Sequence, residues 1–125
     1  AYFIKGAADE DNMEKVCSAF VGKHDFSAFK TDSSSHSSPV KTIFSADIEK
    51  TPDCYEFIVT GDGFLYNMVR IMAGAVVAAG QGKISASDII SAFESGVRPE
   101  NIITLPPKGL MLERVEYGKT EEKQN

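Results

Sequence analysis

The chain is organised around residues Gly61–Gly80, which read GDGFLYNMVRIMAGAVVAAG. Its apolar residues occupy almost every face of a helix, so such a helix is either surrounded by protein or crosses a membrane. The stretch is short and rich in glycine for a membrane span, and it carries a charge near its centre. We therefore predict a buried helix, with Asp62 or Gly63 as the cap at its start and Gly80 at its C-terminal end.

Arg70 lies in the middle of this stretch, and its partner is the main question that the sequence raises. A guanidinium cannot lose its charge, so burial obliges it to contact an anion or water. Taken alone, an arginine in a helix more often pairs with a carboxylate of its own domain, or extends its charge to the surface. A structural ion pair and a functional cation are therefore both open interpretations at this point.

The composition of the chain is typical of one soluble cytoplasmic domain. Its 125 residues are 42% hydrophobic and 25% charged, which is enough to form a core. Neither a signal peptide nor a transmembrane run is evident. The net charge of −5 has the wrong sign for a free-standing nucleic-acid-binding protein, so RNA binding requires a local basic face or a second domain. The chain begins at Ala1 rather than Met, which suggests either a processed chain or a piece of a larger protein.

The cysteines and histidines predict neither a metal site nor a disulfide. Cys17 and Cys54 form no Cys-x-x-Cys pair, and His24 and His36 have no ligand-like spacing. Cys17 instead lies on the apolar face of a predicted helix, where a thiol acts as a small buried hydrophobe. His24 adjoins Asp25, but adjacent residues seldom face each other. We interpret this segment as a turn that the two following phenylalanines anchor to the core.

Hydrophobic periodicity predicts two further helices. Apolar residues at spacings of three and four give residues 10–22 one apolar face, and Gly22 ends that helix. A capping box over residues 85–88 begins the other helix, which Ser95 and Gly96 close.

Alternating apolar residues predict the strands. The runs 40–49 and 54–60 have a period of two and are joined by a short turn, which indicates an antiparallel hairpin. Residues 109–117 are interpreted as a last strand and residues 2–4 as an extended segment. The polar stretch 31–39 is interpreted as a linking loop, with an RNA-contacting loop as the alternative. Together these elements predict an α+β domain in which an antiparallel sheet has helices packed against one face.

Three segments taken together resemble one protein family. They are His24–Phe29 (HDFSAF), Phe64–Arg70 (FLYNMVR), and Gly109–Leu112 (GLML) with Val115 and Tyr117. In this order and at this spacing they resemble the C-terminal half of TruA-type tRNA pseudouridine synthases, and the resemblance covers nearly all of residues 1–125. It implies that the chain is the C-terminal domain, half of a pseudouridine synthase fold, without the N-terminal half.

The resemblance implies an isomerase that converts uridine to pseudouridine in the anticodon stem-loop of tRNA, at positions thirty-eight to forty, without a cofactor. In that family an aspartate of the N-terminal half attacks the nucleotide, the glycosidic bond breaks, and the base rotates and rejoins the sugar through carbon. This chain contains neither that aspartate's motif nor the pocket tyrosine of the same half. The chain is therefore expected to be inactive alone, with tRNA, the N-terminal half and a second subunit of a homodimer as partners, and no membrane.

Residue by residue, the resemblance assigns a small set of positions. Arg70 matches the arginine that pairs with the catalytic aspartate, where a cation keeps a half-buried carboxylate ionised and aimed. Leu110 matches the leucine near the target base, since a flipped base needs apolar walls. Phe64 and Met68 are expected to shape the same wall. Asn67 stands where many members have histidine, which gives it no catalytic role, and no metal site is expected.

Two other classes of protein remain as alternatives. The first is a non-catalytic RNA-binding or dimerisation module on the same scaffold, and an upstream Arg-Thr-Asp type motif would discriminate against it. The second is an unrelated α+β interaction domain, which leaves Arg70 unexplained. If Arg70 serves an aspartate of another half, its guanidinium should emerge at the rim of an exposed, partly apolar face near Leu110, and not be sealed in a buried bidentate pair.

Overall fold

A computed structural model describes residues 2–4, 9–31, 38–52, 55–104 and 115–116 of the chain. In chain order the elements are β1 (Tyr2–Ile4), α1 (Glu10–Phe20), β2 (Gly22–Asp25), a 3-10 turn (Ser27–Phe29), β3 (Val40–Lys50), β4 (Tyr55–Gly61), α2 (Met68–Gly80), α3 (Ala86–Ser95) and β5 (Val115–Glu116). Helix α1 lies against both the sheet and the other two helices. The predicted α+β class, with helices packed against a sheet, is confirmed.

The strands form one sheet in the order β1-β4-β3-β2, and β5 also pairs with β4. The predicted hairpin is confirmed, since β3 and β4 run antiparallel with Ile48 opposite Phe57. Strand β5 runs parallel to β4 and places Val115 opposite Val59, so the sheet is mixed rather than purely antiparallel. The rest of the predicted last strand, residues 109–114 and 117, lies outside the described residues.

Strand β2 is an element that periodicity did not predict. Helix α1 ends at Phe20, two residues earlier than expected, and Gly22 takes a φ of 113° that turns the chain directly into the strand. His24 and Asp25 therefore pair with β3 and are not part of a turn. The expected anchoring by phenylalanine is confirmed, because the side chains of Phe26 and Phe29 are completely buried.

Helix α2 begins at Met68, so the predicted capping by Asp62 or Gly63 is wrong. Asp62 is held by the sheet instead: its Oδ1 accepts from Thr42 N at 2.9 Å, and its own N–H donates to the Thr42 carbonyl oxygen. Gly80 lies within the helix, and Gln81 is the C-cap. The predicted burial is confirmed, since only Arg70, Val77 and Gly80 among the thirteen residues of α2 are partly exposed.

Polar contacts fix the other helices around α2. The side-chain amide of Asn12 donates to the carbonyl oxygens of Ala79 and Ile84, both at 2.8 Å, and so ties α1 to the end of α2. Ser85 and Asp88 form the predicted capping box of α3, and Gly96 ends that helix at a φ of 74°. Among the described residues, no helix is both long enough and apolar enough to cross a bilayer.

Candidate functional site

Arg70 lies in the first turn of α2 and is half-buried. Both of its chain neighbours, Val69 and Ile71, are buried in the core, so the arginine leaves the helix from an apolar surrounding. Its Nη1 donates to Asn67 Oδ1 at 2.7 Å, a short distance typical of a hydrogen bond from a charged donor. A neutral oxygen therefore takes part in orienting the guanidinium, and the residue as a whole keeps partial exposure to solvent.

Asn67, for which no catalytic role was expected, is bonded directly to Arg70. It occupies the N-cap position of α2 with φ 61° and ψ 6°, and within the described part of the chain it alone among non-glycine residues has a positive φ. Its Nδ2 donates to Thr31 Oγ1 at 2.9 Å. The amide thus joins the first residue of the polar stretch 31–39 to the start of α2.

Phe64 and Met68, the other described residues expected in the wall, are core residues in this structure. Phe64 is 2% exposed and Met68 is completely buried. The Met68 sulfur accepts from the Leu65 N–H at 3.4 Å, which tightens the turn that leads into α2. Both side chains therefore belong to the core, and a direct contact with a base stays a prediction.

Tyr66 is an exposed aromatic residue in the same turn. It lies between the two buried residues Phe64 and Met68, yet 53% of its own surface is exposed. An exposed aromatic face is a common stacking platform for an unpaired RNA base. Sequence reasoning assigned no role to Tyr66, because the apolar pattern of Gly61–Gly80 gives no sign that this ring is exposed.

Leu110 lies outside the described residues, but the chain is described on both sides of it. On the N-terminal side, the backbone at Ile103 crosses α2 so closely that a Cβ added to Gly74 would lie 1.9 Å from the Ile103 carbonyl oxygen. Gly74 follows Arg70 by four residues and therefore lies on the same face of the helix. On the C-terminal side, β5 pairs with Val59 and Thr60, close to the end of β4.

His24 and Asp25 act separately, as expected for adjacent residues. The His24 ring stacks on Phe93 with centroids 4.2 Å apart, and its Nε2 lies 2.9 Å from the Val21 carbonyl oxygen. The hydroxyl and backbone N–H of Ser27 both donate to Asp25 Oδ1, and these bonds, with the nearby charge of Lys30, lower the pKa of Asp25. The two residues stabilise the fold and form no catalytic pair.

A cavity of about 190 Å³ between α1 and β3 does not suit RNA. It is lined by Glu14, Cys17, Ser18, Ala46, Asp47 and Ile48. Its two carboxylates repel phosphate. Burial, together with the charges of Asp47 and Glu14, raises the pKa of the Cys17 thiol to about 12, so the thiol stays protonated at neutral pH and is a poor nucleophile. Within the described ranges, no group of three or more His, Cys, Asp or Glu residues is arranged to hold a metal ion.

Comparison with known proteins identifies the family of this chain. Residues 16–118 match the family model of tRNA pseudouridine synthases. The chain belongs to the tRNA pseudouridine synthase family.

Individual relatives agree with this assignment. The chain is 39% identical over 116 residues to the tRNA pseudouridine synthase A of Clostridium botulinum (strain Eklund 17B / Type B), covering 93% of this chain and 48% of that protein. It is 37% identical over 119 residues to the Staphylococcus aureus (strain MRSA252) protein of the same name, covering 95% and 45%. It is 40% identical over 118 residues to the tRNA pseudouridine synthase A of Geobacter sp. (strain M21), covering 94% of this chain and 48% of that protein. The chain thus spans about half the length of these relatives.

Proposed function

We propose that this chain is the C-terminal portion of a tRNA pseudouridine synthase, and that the whole enzyme isomerises uridine to pseudouridine in the anticodon stem-loop, at positions thirty-eight to forty. The match to nearly all of this chain and to about half of each relative supports this proposal. The chain contributes part of the active-site wall and of the tRNA cleft. The catalytic aspartate belongs to the other portion, so this chain alone is inactive.

The placement of Arg70 is the observation that carries the proposal. A permanent charge that emerges between buried residues loses part of its hydration, and an anion that it meets can offset this cost. In the complete enzyme that anion is the catalytic aspartate. A cation at hydrogen-bond distance lowers the pKa of a carboxylate and keeps it ionised, and the planar guanidinium also fixes its direction.

Leu110 completes the apolar wall in this proposal. The segment that contains it follows the Ile103 backbone, which crosses α2 one turn beyond Arg70, and it precedes β5 at the end of β4. Leu110 packs against the flipped uracil, while Phe64 and Met68 support the wall from the core.

The charge of the chain requires partners for RNA binding. With a net charge of −5, this portion does not supply the phosphate contacts that dominate affinity for tRNA. The N-terminal portion and a second subunit of a homodimer supply them. The isomerisation uses no cofactor, and the enzyme acts in the cytoplasm, where its tRNA substrate is.

The proposal is tested with the complete enzyme and with this chain alone, on a transcript of an anticodon stem-loop. We expect the complete enzyme to form pseudouridine in this transcript and the 125-residue chain to form none. Activity of this chain alone would contradict both the assignment and the mechanism.

Substitution of Arg70 tests its role separately. Arg70→Lys keeps a charge but loses the two-pronged geometry, so it lowers kcat more than it weakens RNA binding. Arg70→Met removes the charge and lowers kcat further, while the folded chain keeps nearly its parental stability. Near-normal turnover of Arg70→Met would favour the alternative of a non-catalytic RNA-binding or dimerisation module.

A further inference from the structure

We propose that Asn67 is a positioning residue for this reaction: its side-chain amide holds the Arg70 guanidinium in the direction from which it meets the catalytic carboxylate. This inference rests on the proposed function of Arg70. It also goes beyond the family resemblance, which gives Asn67 no role. Three features of the structure support it.

The backbone of Asn67 is the first feature. A φ of 61° is unusual for any residue with a side chain, although asparagine tolerates it better than most. Residues in this region cluster at functional sites, where the surrounding structure maintains them. Glycine would adopt the same conformation more easily. The presence of asparagine here therefore indicates that its side chain is needed.

The side chain of Asn67, the N-cap residue of α2, does not cap the helix. An asparagine at the N-cap normally accepts a hydrogen bond from a free N–H of the first helical turn. Asn67 makes no such bond, and its Oδ1 accepts from Arg70 Nη1 at 2.7 Å instead. Helix α2 loses a stabilising cap, and Arg70 gains a fixed direction.

The opposite end of the amide is also held. Nδ2 donates to Thr31 Oγ1 at 2.9 Å. Because a guanidinium has only donors, the amide oxygen must face Arg70 and the amide nitrogen must face Thr31. The chain of bonds from Thr31 through Asn67 to Arg70 leaves the amide little freedom to rotate.

The neutrality of the amide is important for the proposed role. An aspartate at position 67 would also accept from Arg70, but its charge would pair with the guanidinium and compete with the catalytic carboxylate. An amide oxygen orients the guanidinium without neutralising it. This difference separates a positioning role from a purely structural one, because a structural role tolerates aspartate at an N-cap.

The experiment uses the complete enzyme and a transcript of an anticodon stem-loop. The rate of the chemical step is measured in single-turnover assays with excess enzyme, which also resolve slow variants. In Asn67→Gly we expect the rate of the chemical step to fall about tenfold, RNA affinity to change less than about twofold, and the melting temperature to stay equal or rise, since glycine suits the positive φ. In Asn67→Asp we expect a similar loss of rate with parental stability. Asn101→Gly is the matched control, because its exposed amide donates to a backbone oxygen, that of Lys83, and we expect parental kinetics.

A double variant distinguishes action through Arg70 from independent effects. If Asn67 works by orienting Arg70, then Asn67→Gly combined with Arg70→Met should be no slower than Arg70→Met alone. Additive losses would overturn the inference, as would a parental rate for either Asn67→Gly or Asn67→Asp. If Arg70→Met itself has near-normal turnover, the proposed function fails; if only the Asn67 variants are normal, the positioning role alone fails. Should Asn67→Gly prove unstable, Asn67→Asp decides the outcome.

Discussion

Gly74→Ala should destabilise the fold although alanine is the better helix former. An alanine in the middle of a helix is favoured over glycine by about 1 kcal/mol. The added Cβ at position 74, however, would lie 1.9 Å from the Ile103 carbonyl oxygen and 3.0 Å from the carbonyl carbon. These are backbone atoms, so no change of rotamer relieves the collision.

The size of the effect follows from the displacement that the methyl group requires. For an ordinary contact of 3.4 Å, the Ile103 carbonyl oxygen must retreat by about 1.5 Å, the difference from 1.9 Å. Neighbouring contacts resist this movement, because Ile102 is buried and Arg98 Nη1 donates to Thr104 Oγ1 at 3.1 Å. Overpacking of this kind costs about 1–3 kcal/mol. Because the collision involves backbone atoms, we place its cost near the upper limit of this range, about 3 kcal/mol. Subtracting the gain in helix propensity of about 1 kcal/mol leaves an expected loss of about 2 kcal/mol in the free energy of unfolding.

Urea denaturation of parent and variant measures this loss directly. A change of about 2 kcal/mol corresponds to a fall of about 6–10 °C in the melting temperature of a domain of this size. Ile103→Ala is the control: its side chain is 60% exposed, so its truncation should cost less than about 0.5 kcal/mol. A Gly74→Ala variant as stable as the parent, or more stable, would refute the close approach of this backbone to α2.

Other described residues support further predictions. Asn12→Ala removes the donor to the Ile84 carbonyl oxygen and one of the donors to that of Ala79, which also accepts from the Gly82 N–H, and should cost about 1–3 kcal/mol, measured in urea. Tyr66→Ala in the complete enzyme should weaken binding of an anticodon stem-loop, whereas Tyr66→Phe keeps the stacking surface and should bind as the parent does. Cys17 should resist a maleimide at pH 8 in the folded chain and react in urea, because burial raises the pKa of its thiol to about 12. The pKa of Asp25 is lowered in the folded state, so its contribution to stability is complete at neutral pH and is lost as the pH falls through the folded pKa. The stability of Asp25→Asn, measured as the pH is lowered, should lack this loss.

Local signals in the sequence predicted most of the elements. The hairpin and α1 follow from hydrophobic period, and α3 follows from its capping box. Each of these signals lies within the element that it specifies. The arginine at the candidate site was also visible, because a charge inside an apolar stretch is conspicuous in any sequence.

The errors concern features that depend on distant residues. Asp62 has the chemistry of a helix cap, but Thr42, twenty positions earlier, pairs with it and keeps it in the sheet. Strand β2 is recognisable only through its partner β3, since Gly22–Asp25 has no apolar alternation. The role proposed for Asn67 was not predicted, because it depends on a backbone angle, on a hydrogen bond from Arg70 and on a tertiary hydrogen bond to Thr31. None of these is encoded in local periodicity.

The corrected start of α2 strengthens the functional interpretation of Arg70. In a helix that began near Asp62, Arg70 would lie in the middle, where a charge has little effect on the helix dipole. Because α2 begins at Met68, Arg70 is its third residue and lies at the positive end of the dipole, where a cation is unfavourable and an anion is favoured. The first turn of α2 contains no acidic residue. Helix stability therefore does not account for an arginine at this position, whereas a carboxylate brought by the rest of the enzyme would be attracted by the guanidinium and the helix end together.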